Sequence, residues 1–219
     1  MLNPVAYQSL FRAQGYRVRV WRALPHECVN VGDGYDEHRT CTDPRCELGF
    51  IYLEEPLAAD VRVALDTVRE AIIHPQFGAL TVGDVMLTAM PDQLYLRSMD
   101  KLLLADWKQG LVEQVTKGAD ELLRPWAVGV QQVRTTTTIY GQGVSWSLDV
   151  DEDTGASCIL WADGTPQPGE GEYYVVSYLY APLYWVDPAS DQTGRPTAGS
   201  SLALPRAVKL SKERPANHA

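Results

Sequence analysis

Cysteine and histidine residues gather near the start of the chain with the spacing of metal ligands. His26 and Cys28 are separated by one residue. Cys41 and Cys46 follow and are separated by four residues. Zinc takes four nitrogen or sulfur ligands in a tetrahedron, usually as two close pairs joined by a loop. These four residues therefore predict a structural zinc site, because four protein ligands leave no coordination position for water.

The same cluster has two other interpretations. Ligand pairs more often have a two-residue gap than gaps of one and four residues, and His38 competes as a ligand. Reduced cysteines without a metal are the main alternative, and a disulfide is a third. A polar loop in a chain without a secretory signal favours metal over a disulfide. Cys158 lies in a strand-like stretch, where we expect it to be buried as a small hydrophobic residue.

Sequence motifs of catalysis are missing. GDG at 32–34 and GQG at 141–143 lack the helix signals that follow a phosphate-binding loop, and G-x-S-x-G does not occur. His74 ends an apolar run and is tied by no motif to a nucleophile. The acidic residues of 149–153 lack the glycine and terminal glutamate of a calcium loop. We therefore predict that the chain is not an enzyme.

Composition and charge narrow the class of protein. The 219 residues are 45% hydrophobic and 21% charged, which is typical of a soluble globular protein. The net charge of −9 disfavours non-specific binding to DNA or anionic lipid. No stretch approaches the roughly 18 apolar residues of a membrane span, and the first residues lack the pattern of a signal peptide. We expect a protein of a cytosol-like compartment that has no membrane partner.

The hydrophobic pattern predicts a mainly β fold. Asn3 and Pro4 are signals for the start of a short helix, and Gly15 is placed to end it. Period-two alternation at 16–22 then predicts a strand. Further short strands are predicted in the first half at 49–53, 61–66, 70–73, 94–97 and 101–104. Their spacing of about ten residues is typical of a small barrel.

The second half of the chain predicts a separate β module. A short helix is expected at 119–123, and strands are expected at 132–139, 144–150, 157–161, 173–180 and 183–186. The predicted fold is thus a small β-barrel plus a second β-sandwich-like module, with a short N-terminal helix and a Cys/His-rich loop. The predicted ranges are 1–48 for the helix, strand and loop, 49–118 for the barrel, 119–187 for the second module and 188–219 for a C-terminal extension.

The order of these features resembles that of a known class of virion proteins. A helix and an arginine-bearing strand precede a loop that ends C-x4-C-E-L-G-F-I-Y. PQPGEGEYYVVSYLYAPLYWV and LALPRAVKL follow near the C-terminus. Over most of its length this pattern is similar to the neck, or head-to-tail connector, proteins of tailed bacteriophages, of the head-closure type. The pattern would have cysteine at position 26 and a two-residue gap before position 46, so His26 and the longer gap depart from it.

The resemblance implies a structural role in assembly. Such proteins form homo-oligomeric rings that close the packaged head and dock the tail. The implied partners are copies of the chain, neighbouring portal, adaptor and tail proteins, and DNA that passes through the lumen without sequence-specific binding. The implied location is the virion, assembled in the host cytoplasm. A negative charge is consistent with this role, because DNA would slide past an acidic lumen without sticking.

Two other functions remain open. The chain could be a tail or baseplate component of the same kind of particle, where β-barrel modules also occur. It could instead be an oligonucleotide-binding β-barrel protein, which needs a basic groove interleaved with aromatic residues. The range 61–104 offers few residues for such a groove: Arg62, Arg69, Arg97, Lys101 and Tyr95.

Overall fold

The mainly β class and the short N-terminal helix are confirmed. The computed structural model describes residues 4–26, 42–47, 49–59, 61–67, 72–74, 78–80, 84–90, 93–118, 121–152, 154–187 and 206–211. In these ranges one helix precedes a series of β-strands that pair antiparallel in sheets. In chain order the elements are α1 (Pro4–Gln14), β1 (Val18–Pro25), β2 (Phe50–Glu55), β3 (Ala64–Thr67), β4 (Ile72–His74), β5 (Gly78–Leu80), β6 (Val85–Ala89), β7 (Lys101–Leu104), β8 (Gln109–Thr116), β9 (Leu122–Leu123), β10 (Ala127–Arg134), β11 (Ile139–Tyr140), β12 (Trp146–Val150), β13 (Ser157–Trp161), β14 (Tyr173–Tyr180), β15 (Leu183–Val186) and β16 (Arg206–Ser211).

The chain divides into two compact units, and the second is inserted into the first. The first unit combines Met1–Asp106 with Leu183–Ala219, and the second is Trp107–Pro182. These bounds differ from the predicted ranges 49–118 and 119–187. The difference arises because β8 pairs with β14 along its whole length, which places it in the second unit.

A seven-stranded sheet organises the first unit. Its strand order is β2-β1-β7-β15-β16-β6-β3, so the C-terminal strands β15 and β16 lie between two groups of strands from the N-terminal part of the chain. One face carries fully buried apolar side chains, among them Val20, Leu102, Leu104, Tyr184 and Leu210. β2 and β3 remain as edges, and no closed barrel is found in the part of the chain that the structure describes. β4 and β5 form a separate two-stranded ladder.

The helix α1 begins at Pro4, as predicted, and ends at a glycine that its surroundings require. The Gly15 N–H donates to the Phe11 carbonyl oxygen at 2.7 Å. A Cβ atom at Gly15 would lie 2.4 Å from that oxygen and 2.8 Å from the Cβ atom of Arg62. Because neither contact is possible for a larger residue, glycine lets the chain turn directly into β1.

The second unit consists of two sheets that share one core. A four-stranded sheet has the order β11-β10-β14-β8, and a three-stranded sheet has the order β12-β13-β9. Tyr174, Val176 and Tyr178 from the first sheet share this core with Trp146 and Ile159 from the second. This is a sandwich-like arrangement. The predicted helix at 119–123 is wrong, because 122–123 forms β9 and pairs with β13.

Candidate functional site

Two of the four predicted zinc ligands lie in the described part of the first unit. His26 follows the end of β1, and its N–H donates to the carbonyl oxygen of Gly49 at 2.8 Å. Cys46 lies in the segment 42–47, just before β2. Cys28 and Cys41 fall outside the described residues. The structure therefore brings the flanks of the predicted loop together at the paired strands β1 and β2.

Asp43 is a third polar side chain at this position, and the sequence interpretation missed it. The His26 Nε2 atom lies 3.5 Å from the Asp43 Oδ2 atom, and the Cys46 N–H donates to the Asp43 carbonyl oxygen at 3.0 Å. Hydrogen bonds from the Arg45 side chain and backbone lower the pKa of Asp43 to about 2. The spacing of Asp43 and Cys46, three residues apart in one turn, is the signal that could have identified it.

The donor types at this turn suit a metal, although the complete predicted ligand set is not described. Imidazole nitrogen and thiolate sulfur are preferred zinc ligands. Across the described ranges, no group of three or more His, Cys, Asp or Glu side chains is arranged to hold a metal ion. The zinc site at His26, Cys28, Cys41 and Cys46 therefore stays a prediction.

Arginine side chains at the start of β1, the strand next to the edge strand β2, are neutralised by carboxylates. The Arg17 guanidinium donates to both carboxylate oxygens of Asp106, at 2.6–3.0 Å. Arg19 makes a two-point contact with Glu54, at 2.7 and 2.8 Å, and lies 5.0 Å from the ring centre of Trp21. These pairings lower the pKa of both carboxyl groups. Arg19 thus lies beside an aromatic ring, as in a nucleic-acid-binding groove. Because both arginines are paired with carboxylates, however, they offer little positive charge to a nucleic acid.

Lys101 is held among aromatic rings on the same sheet. Its Nζ atom lies 3.9 Å from the ring centre of Tyr52 and 5.7 Å from that of Trp185. It also forms an ion pair with Glu47. Cation–π contacts of this kind stabilise a partly desolvated ammonium group. The arrangement packs a lysine against the sheet and does not form an open groove.

The aromatic side chains of β14 and β15 lie mostly in the hydrophobic core and not on the surface. If the chain is a ring subunit, the sequence predicts that the aromatic strands at 172–186 form an interface. Tyr174, Tyr178 and Tyr184 are instead almost completely buried, and Tyr173 alone of these four tyrosines is exposed, at 64%. The run also crosses between units, because β14 belongs to the second unit and β15 to the first.

The outer face of the four-stranded sheet carries exposed apolar side chains. Val112, Ile139 and Tyr173 are 63%, 69% and 64% exposed. Strand register places them opposite Ser177, Arg134 and Thr116, respectively. The half-buried Val175 and Leu179 of β14 lie on the same face. We call the set Val112, Ile139, Tyr173, Val175 and Leu179 the outer apolar face.

A cleft of about 500 Å³ lies along β8, where one edge of the four-stranded sheet meets β9. Its lining includes Glu113 and Arg124, whose Oε1 and Nε atoms are 3.5 Å apart. The Tyr178 hydroxyl donates to Glu113 and accepts the Arg124 N–H at 2.9 Å. Burial and the neighbouring carboxylate raise the pKa of Tyr178. The hydroxyl therefore stays protonated and holds the wall of the cleft in place.

Comparison with known proteins gives two partial matches and no matching family model. A 2-C-methyl-D-erythritol 2,4-cyclodiphosphate synthase from Nostoc sp. is 25% identical over 107 residues, which is 44% of this chain and 65% of that enzyme. A synthase of the same name from Synechococcus sp. is 32% identical over 87 residues, which is 39% of this chain and 52% of that enzyme. The chain thus spans between about half and two thirds of the length of these relatives.

These matches correct one prediction from sequence. Both relatives are enzymes, so the prediction that the chain is not an enzyme is contradicted and is withdrawn. It rested on the absence of short motifs, and such motifs mark only those activities whose residues lie close together in sequence.

In the described ranges, no helix is long and apolar enough to cross a membrane.

Proposed function

We propose that this chain is a ring-forming structural subunit in the neck of a tailed-phage particle, where it joins the head to the tail. The observation that supports this proposal is the outer apolar face of the inserted unit. Val112, Ile139 and Tyr173 each expose a large apolar side chain on one face of this sheet, and exposed apolar surface on one face of a protein is a feature of contact sites in assemblies.

The two-unit architecture is consistent with such a subunit. An open seven-stranded sheet provides one body, and the inserted sandwich carries the outer apolar face. Under this proposal, the outer apolar face contacts neighbouring virion proteins or copies of the chain. The net charge of −9 leaves DNA free to pass through the ring, because like charges do not bind.

A structural zinc would have a defined task in this proposal. His26, Cys28, Cys41 and Cys46 would hold it, and it would supply a tetrahedral cross-link across the loop between β1 and β2. His26 already contacts Asp43 in the turn that contains Cys46. The ion would stabilise a loop that offers few apolar side chains for packing.

Localisation and incorporation into particles test the proposal. Gold-labelled antibody against the chain is expected at the junction of head and tail. Ile139→Lys should prevent incorporation, whereas Leu160→Lys, at a site that is 50% exposed on the other sheet, should be incorporated normally. Label at the tail tip would favour a tail or baseplate component, and absence from particles would refute both structural roles.

The two partial matches support a second candidate, an activity related to that of the cyclodiphosphate synthases. The test is thermal unfolding of the purified chain with and without 2-C-methyl-D-erythritol 2,4-cyclodiphosphate. A ligand that binds only the folded state raises the melting temperature, and the rise grows with the logarithm of ligand concentration once this exceeds the dissociation constant. An unchanged melting temperature up to about millimolar ligand would refute this candidate.

A further inference from the structure

The strand β8 is a long and regular sheet edge. All eight of its residues pair with β14, and the register has no break. In the described part of the chain, no strand pairs with its other side. The opposite edge of the same sheet, β11, has two residues. β8 therefore offers a template for another strand, whereas β11 is too short for one.

Alternation along β8 shows which backbone groups point to the open side. The Lys117 N–H donates to the Glu172 carbonyl oxygen at 3.0 Å, so Lys117 bonds towards β14. In an antiparallel ladder the residues that bond to one neighbour alternate with those that face away. The N–H and C=O groups of Val112, Gln114 and Thr116 therefore point away from β14. The side chains of Val112 and Gln114 are exposed.

β8 lacks the devices that usually protect an edge. Natural edges carry lysine, proline, a bulge or a covering segment. The sequence QGLVEQVT contains neither lysine nor proline, and its register shows no bulge. Its one charged side chain, Glu113, is engaged by Tyr178 and Arg124. The adjoining cleft of about 500 Å³ leaves open space beside Glu113, Gln114 and Val115.

We propose that β8 pairs antiparallel with β8 of a second copy of this chain, so that the two four-stranded sheets become one continuous sheet. The pairing satisfies the outward N–H and C=O groups of both strands and covers Val112. Strand addition at an exposed edge is a general mode of recognition. A twofold contact of this kind can join two subunits or two rings, so it goes beyond the ring proposal and does not depend on it.

Charge and the length of the paired overlap together select the register. A twofold axis at Glu113 would place two carboxylates directly opposite each other, which destabilises a strand pair. With the axis at Gln114, Glu113 faces Val115 of the second copy, and Lys117 of that copy follows on the same face. With the axis at Val112, no cation of the second copy comes beside Glu113. An axis at Val115 would bring Glu113 directly opposite Lys117 of the second copy, but it would pair only residues 114–116 of β8. An axis at Gln114 pairs residues 112–116 and keeps Lys117 diagonally opposite Glu113, so we place the axis at Gln114.

Sedimentation of the full chain over about 1–100 μM tests the contact by measuring the dimer dissociation constant. Val112→Lys puts a charge on the edge strand and is expected to raise this constant by about tenfold or more. Val144→Lys changes a similarly exposed valine, 67% against 63%, away from β8 and should leave it unchanged. A monomer at every concentration, or an equal effect of both variants, would overturn the proposal.

Cross-linking tests the register and does not depend on the folding of Val112→Lys. Gln114→Cys is expected to form a disulfide-linked dimer, because the axis brings the two positions opposite each other. Val112→Cys should not, because it faces Thr116 of the second copy. The unsubstituted chain, with its four cysteines, gives the background. Cross-linking of Gln114→Cys at the background rate would refute the register and with it the proposed pairing.

Discussion

Asp100 ties β1 to the turn that precedes β7, and its removal should be among the most destabilising substitutions in the chain. The residue is completely buried. Its carboxylate accepts from the Arg22 guanidinium at 2.6 Å. It also accepts from the backbone N–H groups of Ala23 at 3.0 Å and Arg97 at 2.8 Å. Asp100→Ala therefore leaves a largely buried cation and two backbone donors without this acceptor.

The expected magnitude follows from the burial of the pair. Removing one partner of a buried ion pair costs about 3–5 kcal/mol, because the remaining charge stays desolvated. Arg22 also contacts Glu55, which partly compensates the loss. We therefore expect the free energy of unfolding to fall by about 3 kcal/mol for Asp100→Ala.

Asp106→Ala is the matched control. Asp106 also pairs with an arginine, Arg17, which immediately precedes β1. In this pair, however, the side chains of Arg17 and Asp106 are 60% and 32% exposed. Exposed pairs contribute about 0–1 kcal/mol. Urea unfolding monitored by circular dichroism measures both variants, with the transition of the first unit fitted separately. Equal destabilisation by the two substitutions would refute the reasoning from burial.

Three further predictions concern the turn before β2 and the inserted unit. The pKa of Asp43 is lowered to about 2, so its stabilising contribution is complete above its ordinary pKa and is lost as the pH falls through about 2; Arg45→Ala should move the midpoint in an NMR titration back towards 3.8. Zinc analysis of the purified chain should show bound metal that is lost in Cys46→Ser and kept in Cys158→Ser, and no metal in the unsubstituted chain would remove the zinc site. Replacing 107–182 with a short glycine-rich turn should leave the first unit folded, because the flanking strands β7 and β15 are paired neighbours; loss of its cooperative unfolding transition would contradict this.

Strands with strong alternation or many β-branched and aromatic residues could be predicted closely. The predicted bounds 157–161, 173–180 and 183–186 agree with β13, β14 and β15. These segments bury every second side chain, and that produces a clear period of two. The helix start at Pro4 could be predicted for a similar reason, because proline fits the first turn of a helix.

Edge strands and polar strands could not be predicted from local sequence. β8 contains Gly110, Glu113 and two glutamines, which have low strand propensity, and it forms because β14 lies beside it. The predicted strand at 94–97 does not form, although Leu94 and Leu96 are buried as their apolar character requires. At the predicted metal site, which stays a prediction, local sequence proposed His26 and Cys46 as ligands but gave no sign of Asp43, whose position beside His26 depends on a turn.

The order of strands in the first unit has a consequence for synthesis of the chain. β15 and β16 lie between β7 and β6, so the sheet remains two separate pieces until the C-terminal residues have left the ribosome. The inserted unit is complete by Pro182, earlier than the unit that surrounds it. Because domains tend to fold as they emerge, the second unit should fold first during translation. Until β15 is synthesised, the edge of β7 that will pair with it stays unpaired. An unpaired strand edge favours aggregation, so the nascent chain is most vulnerable to aggregation in this interval.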